Sequence, residues 1–299
     1  MQSNFINPVL ILRGHCDSAE IWRHEVPLTF SGEFEAGGAI WAIETALGDC
    51  EDLSASYSVT LHHVSGESSD VSLELVLRAS DWSLAHYVFA PGAVYGGNRF
   101  PVRAQGYSPR LFATDISPVA APFIADIPRL NDTTGVSRFD LLAGDMAFPC
   151  VGYHDASRGL GLALLAEAYQ QGREVGFTVV ENADRSTAEF RVSLPGVRPQ
   201  RYDFPAISTT APSPDRGVRL APGETLSLEA KWGQFTAPQR ADFLDKLLDL
   251  RTSVGTRKQP SACPMSKAAD LIIQKNDASF WNEELGIYAC NPNRENHFY

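Results

Sequence analysis

The chain is short of cysteine, of basic side chains and of long apolar runs, and each shortage closes off a class of protein. Five cysteines in 299 residues, Cys16, Cys50, Cys150, Cys263 and Cys290, are odd in number and widely spaced. That is not a disulfide framework; it suits the reduced thiols of a cytoplasmic protein. Lysine and arginine total 25 against 36 aspartates and glutamates, a net charge of -11. A phosphate backbone is bound by replacing its counterions with cations, so this balance disfavours nucleic acid as a partner. No apolar run approaches the roughly 20 residues of a membrane span, and no basic patch of the lipid-anchoring kind is present, so no membrane partner is expected. The N-terminus lacks the basic start of a secretory signal, and the apolar run 9–12 is too short for its core.

Metal and cofactor signatures are also missing. There is no C-x-x-C pair. His62 and His63 are sequence neighbours, and neighbours on a strand point to opposite faces, so they are poorly placed to share one ion; His15 and Cys16 meet the same objection. Asn131 and Asp132 offer oxygen ligands without the spacing of a calcium loop. No G-x-S-x-G elbow occurs, and Gly159-Leu160-Gly161 lacks the rest of a dinucleotide fingerprint. Neither a metal nor a cofactor is expected.

What the chain has is a globular composition, 44% apolar and 20% charged, and many short strand-like runs. Between positions 9 and 231 they recur between turn signals, among them 40–47, 57–64, 71–79, 84–94, 160–166, 175–181, 187–194 and 226–231. Tyr57, Val59 and Leu61 alternate with Ser58, Thr60 and His62, as a strand does when one face is buried and the other wet. No helical pattern of ten or more residues separates the runs, so the expected class is mainly antiparallel β. The proline-rich stretch 195–222 cannot supply central strands, because proline lacks the ladder's donor. The period then changes. Thr236 with Gln239 reads as a capped helix start, and Phe243, Leu244, Leu247 and Leu248 follow at helical spacing. A second helix is expected from Ser266 to about Lys275, and a loop from Trp281.

The strongest local signal is the passage from apolar strand to glycine-opened loop over residues 87–100. Gly96 and Gly97 permit positive φ, while Tyr95, Asn98 and Arg99 supply an aromatic face, an amide and a planar cation; Tyr107 follows. Sugars are held by such faces and such planar polar groups, so Tyr95, Asn98, Arg99 and Tyr107 are candidate substrate-binding residues. The plain alternative is a hairpin in which the glycines turn the chain, Asn98 tolerates left-handed geometry and Arg99 is solvated. Asp81, Asp115, Asp126, Asp145, Glu283 and Glu284 lie near aromatics but form no evident catalytic pair, and capping or surface roles suit them better. Trp82 is the tryptophan hardest to divide between core and sugar platform.

The run from Tyr87 to Phe100, continued through Tyr107-Ser108-Pro109, resembles the start of bacterial six-hairpin glycosidases, in which a β-supersandwich of the galactose mutarotase-like kind precedes an (α/α)6 toroid. The resemblance implies a supersandwich over 1–235, a helical linker over 236–262, and the first helix and loop of a truncated toroid over 263–299. It also implies that the Tyr95 loop lies near an oligosaccharide or glycoside site, that Arg99 suits a carboxylate-bearing sugar, and that the catalytic machinery belongs to a C-terminal toroid in a longer protein. Two other readings stand beside it. One is a sugar-binding module alone. The other is an epimerase of the mutarotase kind, which requires a histidine and a carboxylate converging over one sheet face, with His62, His63 and His86 available.

Overall fold

A computed structural model describes residues 6–49, 53, 55–99, 128–131, 135–202, 210–251, 265–283 and 286–288. The chain divides into two compact units, Met1–Gly255 and Thr256–Tyr299.

In chain order the first unit forms β1 (Ile6–Cys16), β2 (Ala19–Pro27), β3 (Gly32–Ala36), β4 (Ala39–Gly48), β5 (Ala55–Gly66), β6 (Ser69–Ala79), β7 (Tyr87–Ala90), β8 (Val94–Tyr95), a 3-10 turn (Gly96–Asn98) and β9 (Ser137–Leu142). There follow β10 (Cys150–Asp155), β11 (Leu160–Leu165), a small hairpin of β12 (Tyr169–Gln170) with β13 (Arg173–Glu174), β14 (Gly176–Glu181) and β15 (Ala188–Leu194). A second small hairpin, β16 (Gln200–Tyr202) with β17 (Thr210–Pro212), precedes β18 (Val218–Leu220), β19 (Thr225–Thr236) and α1 (Arg240–Leu250).

Two antiparallel sheets carry the unit. The seven-stranded sheet runs β2-β1-β6-β15-β14-β9, with β18 also on β6; the eight-stranded sheet runs β3-β4-β5-β19-β11-β10-β7-β8. Their inner faces make one core. Leu10, Leu12, Leu73, Leu75, Leu77, Phe177, Phe190 and Val192 of the first sheet join Trp41, Tyr57, Val59, Leu61, Leu162, Leu164 and Leu228 of the second. The alternation read in β5 is real, with Tyr57, Val59 and Leu61 buried and Ser58 and Thr60 half-exposed. Burying each such side chain stabilises by roughly 1.5–3 kcal/mol, which makes this core the chief favourable term.

The proline-rich excursion respects the restriction read from sequence. β15 pairs with β6 from Leu73 to Ala79, and β18 takes the remaining Ser69 to Val71 with three residues of its own. α1 begins at Arg240, slightly later than the Thr236 signal, and its cap is Gln239, whose N–H is accepted by Asp242 Oδ2 at 2.8 Å. Phe243, Leu247 and Leu250 pack on the outer face of the eight-stranded sheet against Phe89, Phe148, Cys150, Ala163 and Leu165.

In the second unit α2 (Met265–Ser279) extends a turn beyond the expected end and is followed by a short hairpin, β20 (Trp281–Asn282) with β21 (Ile287–Tyr288). Leu271, Ile272 and Ile273 are 51%, 61% and 56% exposed. No helix among the described residues is long and apolar enough to cross a membrane.

Candidate functional site

The Tyr95 loop is tightly built. Gly96, Gly97 and Asn98 all have positive φ, at 62°, 74° and 49°, which the two glycines and asparagine accommodate. Asn98 is buried, and its amide is spent on the loop: Oδ1 accepts the Tyr95 N–H at 3.0 Å, and Nδ2 donates to the Ala93 and Pro128 carbonyls, both at 2.8 Å. Arg99 donates to the Asn131 carbonyl at 2.7 Å and through both terminal nitrogens to Glu181. Glu181 is fully buried and also accepts the Trp82 indole N–H at 2.7 Å, which makes Trp82 a core ring with its polar atom in use. Tyr95 is 55% exposed, with its hydroxyl accepting the Gly92 N–H at 3.2 Å and its ring edge-on to Phe89. Tyr107 lies outside the described residues, as do Asp115, Asp126 and Glu284.

A cavity of about 320 Å³ opens beside this turn, with Gly92, Ala93, Pro128, Asp140, Asp145 and Arg198 in its wall. Asp145 accepts from Leu142 N–H at 2.9 Å and from Arg198 at 3.0 Å, so it caps a turn and pairs a cation. Asp81 is exposed, 3.4 Å from Arg158.

Of the histidines weighed in the sequence, His63 is buried against Trp41 with its ring nitrogens 3.0 and 3.1 Å from the Leu220 and Ser65 carbonyls. His62 is half-exposed, 3.7 Å from Glu44. His86 does meet a carboxylate, 3.2 Å from Asp155 Oδ2. Both partners are occupied, however. His86 Nδ1 accepts the Ser83 N–H, and Asp155 Oδ1 accepts from the Ser157 N–H and hydroxyl and the Arg158 N–H. Burial raises the Asp155 carboxyl, but the Ser157 bonds and His86 outweigh it and hold it below the usual range. Packed on Trp82 and Tyr153, this pair closes a turn.

A different histidine stands in an unfinished site. The outer face of the seven-stranded sheet carries odd-numbered residues of β1 against even-numbered residues of β6. Val9, Ile11 and Val76 form a small apolar cluster there, and beside it lie Arg13, His15, Ser72, Glu74 and Arg191, each less than 9% exposed. Charged groups at that depth need partners. Arg13 pairs with Glu20 through Nη1, while its Nε is 2.9 Å from Glu74 Oε2 in an ion pair too bent to count as a hydrogen bond. Arg191 lies 3.8 Å from Glu74 and pairs with Glu189, which Arg78 also holds. His15 Nε2 is 2.7 Å from Ser72 Oγ.

Four buried atoms of this cluster, Arg13 Nε and Nη2, Glu74 Oε2 and His15 Nδ1, have no hydrogen-bond partner among the described residues, although Arg13 Nε and Glu74 Oε2 face each other as an ion pair. Burial lowers the pKa of His15, against the pull of Glu74, with Arg13 adding to the lowering. The ring is therefore held neutral at neutral pH, with one nitrogen tied and one unused.

Sequence reasoning passed over this cluster because its members are spread from position 13 to 191. The available signal was Glu74 inside the run Val71 to Ala79: a charge in an otherwise apolar central strand marks an outer face that is itself enclosed.

No protein-family model matches the chain, and no curated protein matches it. Among solved structures it is similar to a candidate aldose 1-epimerase from Escherichia coli K12, with TM-score 0.38 and 8% identity over 77% of this chain and 66% of that one. It is also similar to a galactose mutarotase-like protein from Clostridium acetobutylicum, with TM-score 0.35 and 10% identity over 77% of this chain and 79% of that one. The architecture is established by strand order and pairing, independently of those likenesses.

Proposed function

We propose that the sandwich handles aldose sugars as an epimerase of the mutarotase kind, moving a proton at the anomeric centre over the outer face of the seven-stranded sheet. The observation that carries this reading is the neutral, buried His15 with an unused ring nitrogen beside Arg13 and Glu74. His15 Nδ1 takes the proton of the anomeric hydroxyl. The bond from C1 to the ring oxygen breaks, C1 becomes an aldehyde carbonyl, and the electron pair goes to the ring oxygen. The unpartnered Arg13 Nη2–H steadies that oxygen as charge develops, and Glu74 steadies the imidazolium. The imidazolium returns its proton to the former ring oxygen; rotation about C1–C2 and the reverse steps give the other anomer, with no cofactor consumed. The test is polarimetry of freshly dissolved D-glucose and D-galactose. Anomer exchange is expected to run about 100-fold or more above buffer and to be lost in His15→Gln. A folded chain that accelerates no neutral aldose overturns the reading.

A second reading keeps the sandwich as a substrate-shaping domain of a six-hairpin glycosidase, or as a binding module, with Tyr95 as a stacking face and catalysis in a toroid of a longer protein. It is favoured by the exposed apolar row Leu271, Ile272 and Ile273 on α2 and by the Trp281 and Tyr288 rings of the adjoining hairpin, 5.0 Å apart. Oligosaccharide binding without anomer exchange, weakened by Tyr95→Ala, is its signature.

A further inference from the structure

We propose that the free edge of β2 docks against β2 of a second copy of this chain, antiparallel about a two-fold axis at His24, joining the two seven-stranded sheets into one. The inference concerns assembly and is independent of the epimerase reading.

A strand at the end of a sheet presents unpaired N–H and C=O groups, and folded proteins blunt such edges by keeping them short or by interrupting them with proline, bulges or repelling charges. The two sheets end in β2, β9, β3 and β8, of nine, six, five and two residues. β2 is the longest of these, and among the described residues its far side pairs with no strand. Its edge is interrupted only at the limits. Where the ladder to β1 shifts, a bulge leaves Ile21 without an opposite residue, and at the other end Pro27 has no N–H. Between them Trp22 to Val26 form a regular run with His24 at its middle.

The side chains of that run select one partner and one register. Trp22, His24 and Val26 face the core, opposite Gly14, Leu12 and Leu10 of β1, while Arg23 and Glu25 stand on the outer face, opposite Arg13 and Ile11. A two-fold antiparallel pair keeps inner residues opposite inner ones and outer opposite outer. Centred on Arg23 it sets Arg23 against Arg23, and centred on Glu25 it sets Glu25 against Glu25. Centred on His24 it sets Arg23 against Glu25 and Trp22 against Val26, each twice, and it uses the whole run between the bulge and Pro27. Unlike charges directly across an antiparallel pair stabilise it and like charges oppose it. Both groups are reachable, with 44% of the Arg23 side chain and 35% of the Glu25 side chain exposed. Within one chain Arg23 stands across from the like-charged Arg13 and reaches Glu25 through Nη2 at 3.2 Å, so a carboxylate from a second copy adds a favourable partner.

The experiment is sedimentation velocity of the full chain over about 1 to 100 µM, the range suited to so small an interface. Wild type should pass from monomer to dimer across it. Arg23→Glu sets carboxylate against carboxylate, and Glu25→Arg sets guanidinium against guanidinium, so each alone should remain monomeric. Mixed in equal amounts, the two variants oppose unlike charges at every outer position and should recover the dimer. Arg23→Glu also removes the like-charge pairing with Arg13, so that variant is expected to fold, as circular dichroism checks. If Glu25→Arg fails to fold for want of its bonds to Arg78, His24→Cys in a Cys16→Ser background takes its place. Only the residue on the axis lies opposite itself, within disulfide reach, so mild oxidation should give a linked dimer that the Cys16→Ser parent does not give and that added Arg23→Glu abolishes. A wild type still monomeric at about 100 µM overturns the inference. So does a dimer unchanged by Arg23→Glu, a mixture that stays monomeric, or a His24→Cys chain that does not link.

Discussion

Replacing Arg99 with alanine should destabilise the fold, and the size of the loss follows from what the side chain leaves behind. Arg99 is 10% exposed and Glu181 is fully buried. Removing one partner of a buried ion pair costs about 3–5 kcal/mol, because the remaining charge is stranded. Here the stranded carboxylate keeps the Trp82 N–H at 2.7 Å and Arg185 at 3.6 Å, while the Asn131 carbonyl loses its 2.7 Å donor. The loss therefore belongs at the lower end, about 3 kcal/mol. At roughly 2–4 °C per kcal/mol for a domain this large, that is a fall of about 6–12 °C in Tm. Glu181→Gln should cost more than Arg99→Ala, since it removes the counter-charge of two buried guanidiniums, Arg99 and Arg185, at once, even though each keeps carbonyl acceptors. Urea unfolding followed by circular dichroism, with the slope compared between variants, measures both. A loss under about 1 kcal/mol for Arg99→Ala, or a smaller loss for Glu181→Gln, would show that Glu181 is not the anchor of the Tyr95 loop.

His15 and His86 are both held below their ordinary pKa, chiefly by burial, whereas in the unfolded chain they titrate near 6.5. The unfolded state thus binds more protons as pH falls below about 6.5, so stability should be full at pH 7.5 and decline toward pH 5. His15→Gln should flatten that slope, and a urea midpoint constant across the interval would contradict it. Glu25, held low first by its hydrogen bonds from Arg78, should lose its contribution only further down, below the ordinary carboxylate range. Gly152→Ala should abolish soluble folded protein, because a Cβ there would lie 2.2 Å from the Leu162 carbonyl oxygen in the facing strand; a variant with wild-type Tm would refute the pairing of β10 with β11. The Cys150 thiol is fully buried, and burial pushes its pKa up, whereas Cys16 is exposed. Peptide mapping after brief alkylation of native protein should find Cys16 modified and Cys150 intact; early modification of Cys150 would mean that α1 does not cover it.

The β architecture was legible because strand periodicity is local. Alternation in β5, and the apolar runs that became β6, β14 and β15, state which face is buried without reference to a partner. α1 was legible for the same reason, through Phe243 and Leu247. The polar cluster on the outer face was not legible, because a sheet assembles it from residues far apart in the chain: Arg13 from β1, Ser72 and Glu74 from β6, and Arg191 from β15 meet only through register. The Tyr95 loop shows the complementary effect. Its residue types can be read either as ligand groups or as the parts of a rigid turn, and only atomic contacts reveal that Asn98 and Arg99 are engaged within the loop while Tyr95 faces outward.

Partner sharing along β6 bears on how the chain is made. Its two flanks are completed by segments near positions 10 and 190, and its first three residues wait for Val218–Leu220. The other sheet has its own latecomer, since β19 sits between β5 and β11 and ends at Thr236. During synthesis the seven-stranded sheet is complete only once Leu220 has emerged and the eight-stranded sheet only once Thr236 has, so early strands such as β5 spend that interval with an open edge. Contacts this distant in sequence slow folding and prolong exposure of unpaired strands. A ribosome-tethered series of increasing length should therefore gain protease resistance abruptly after Thr236 rather than in steps.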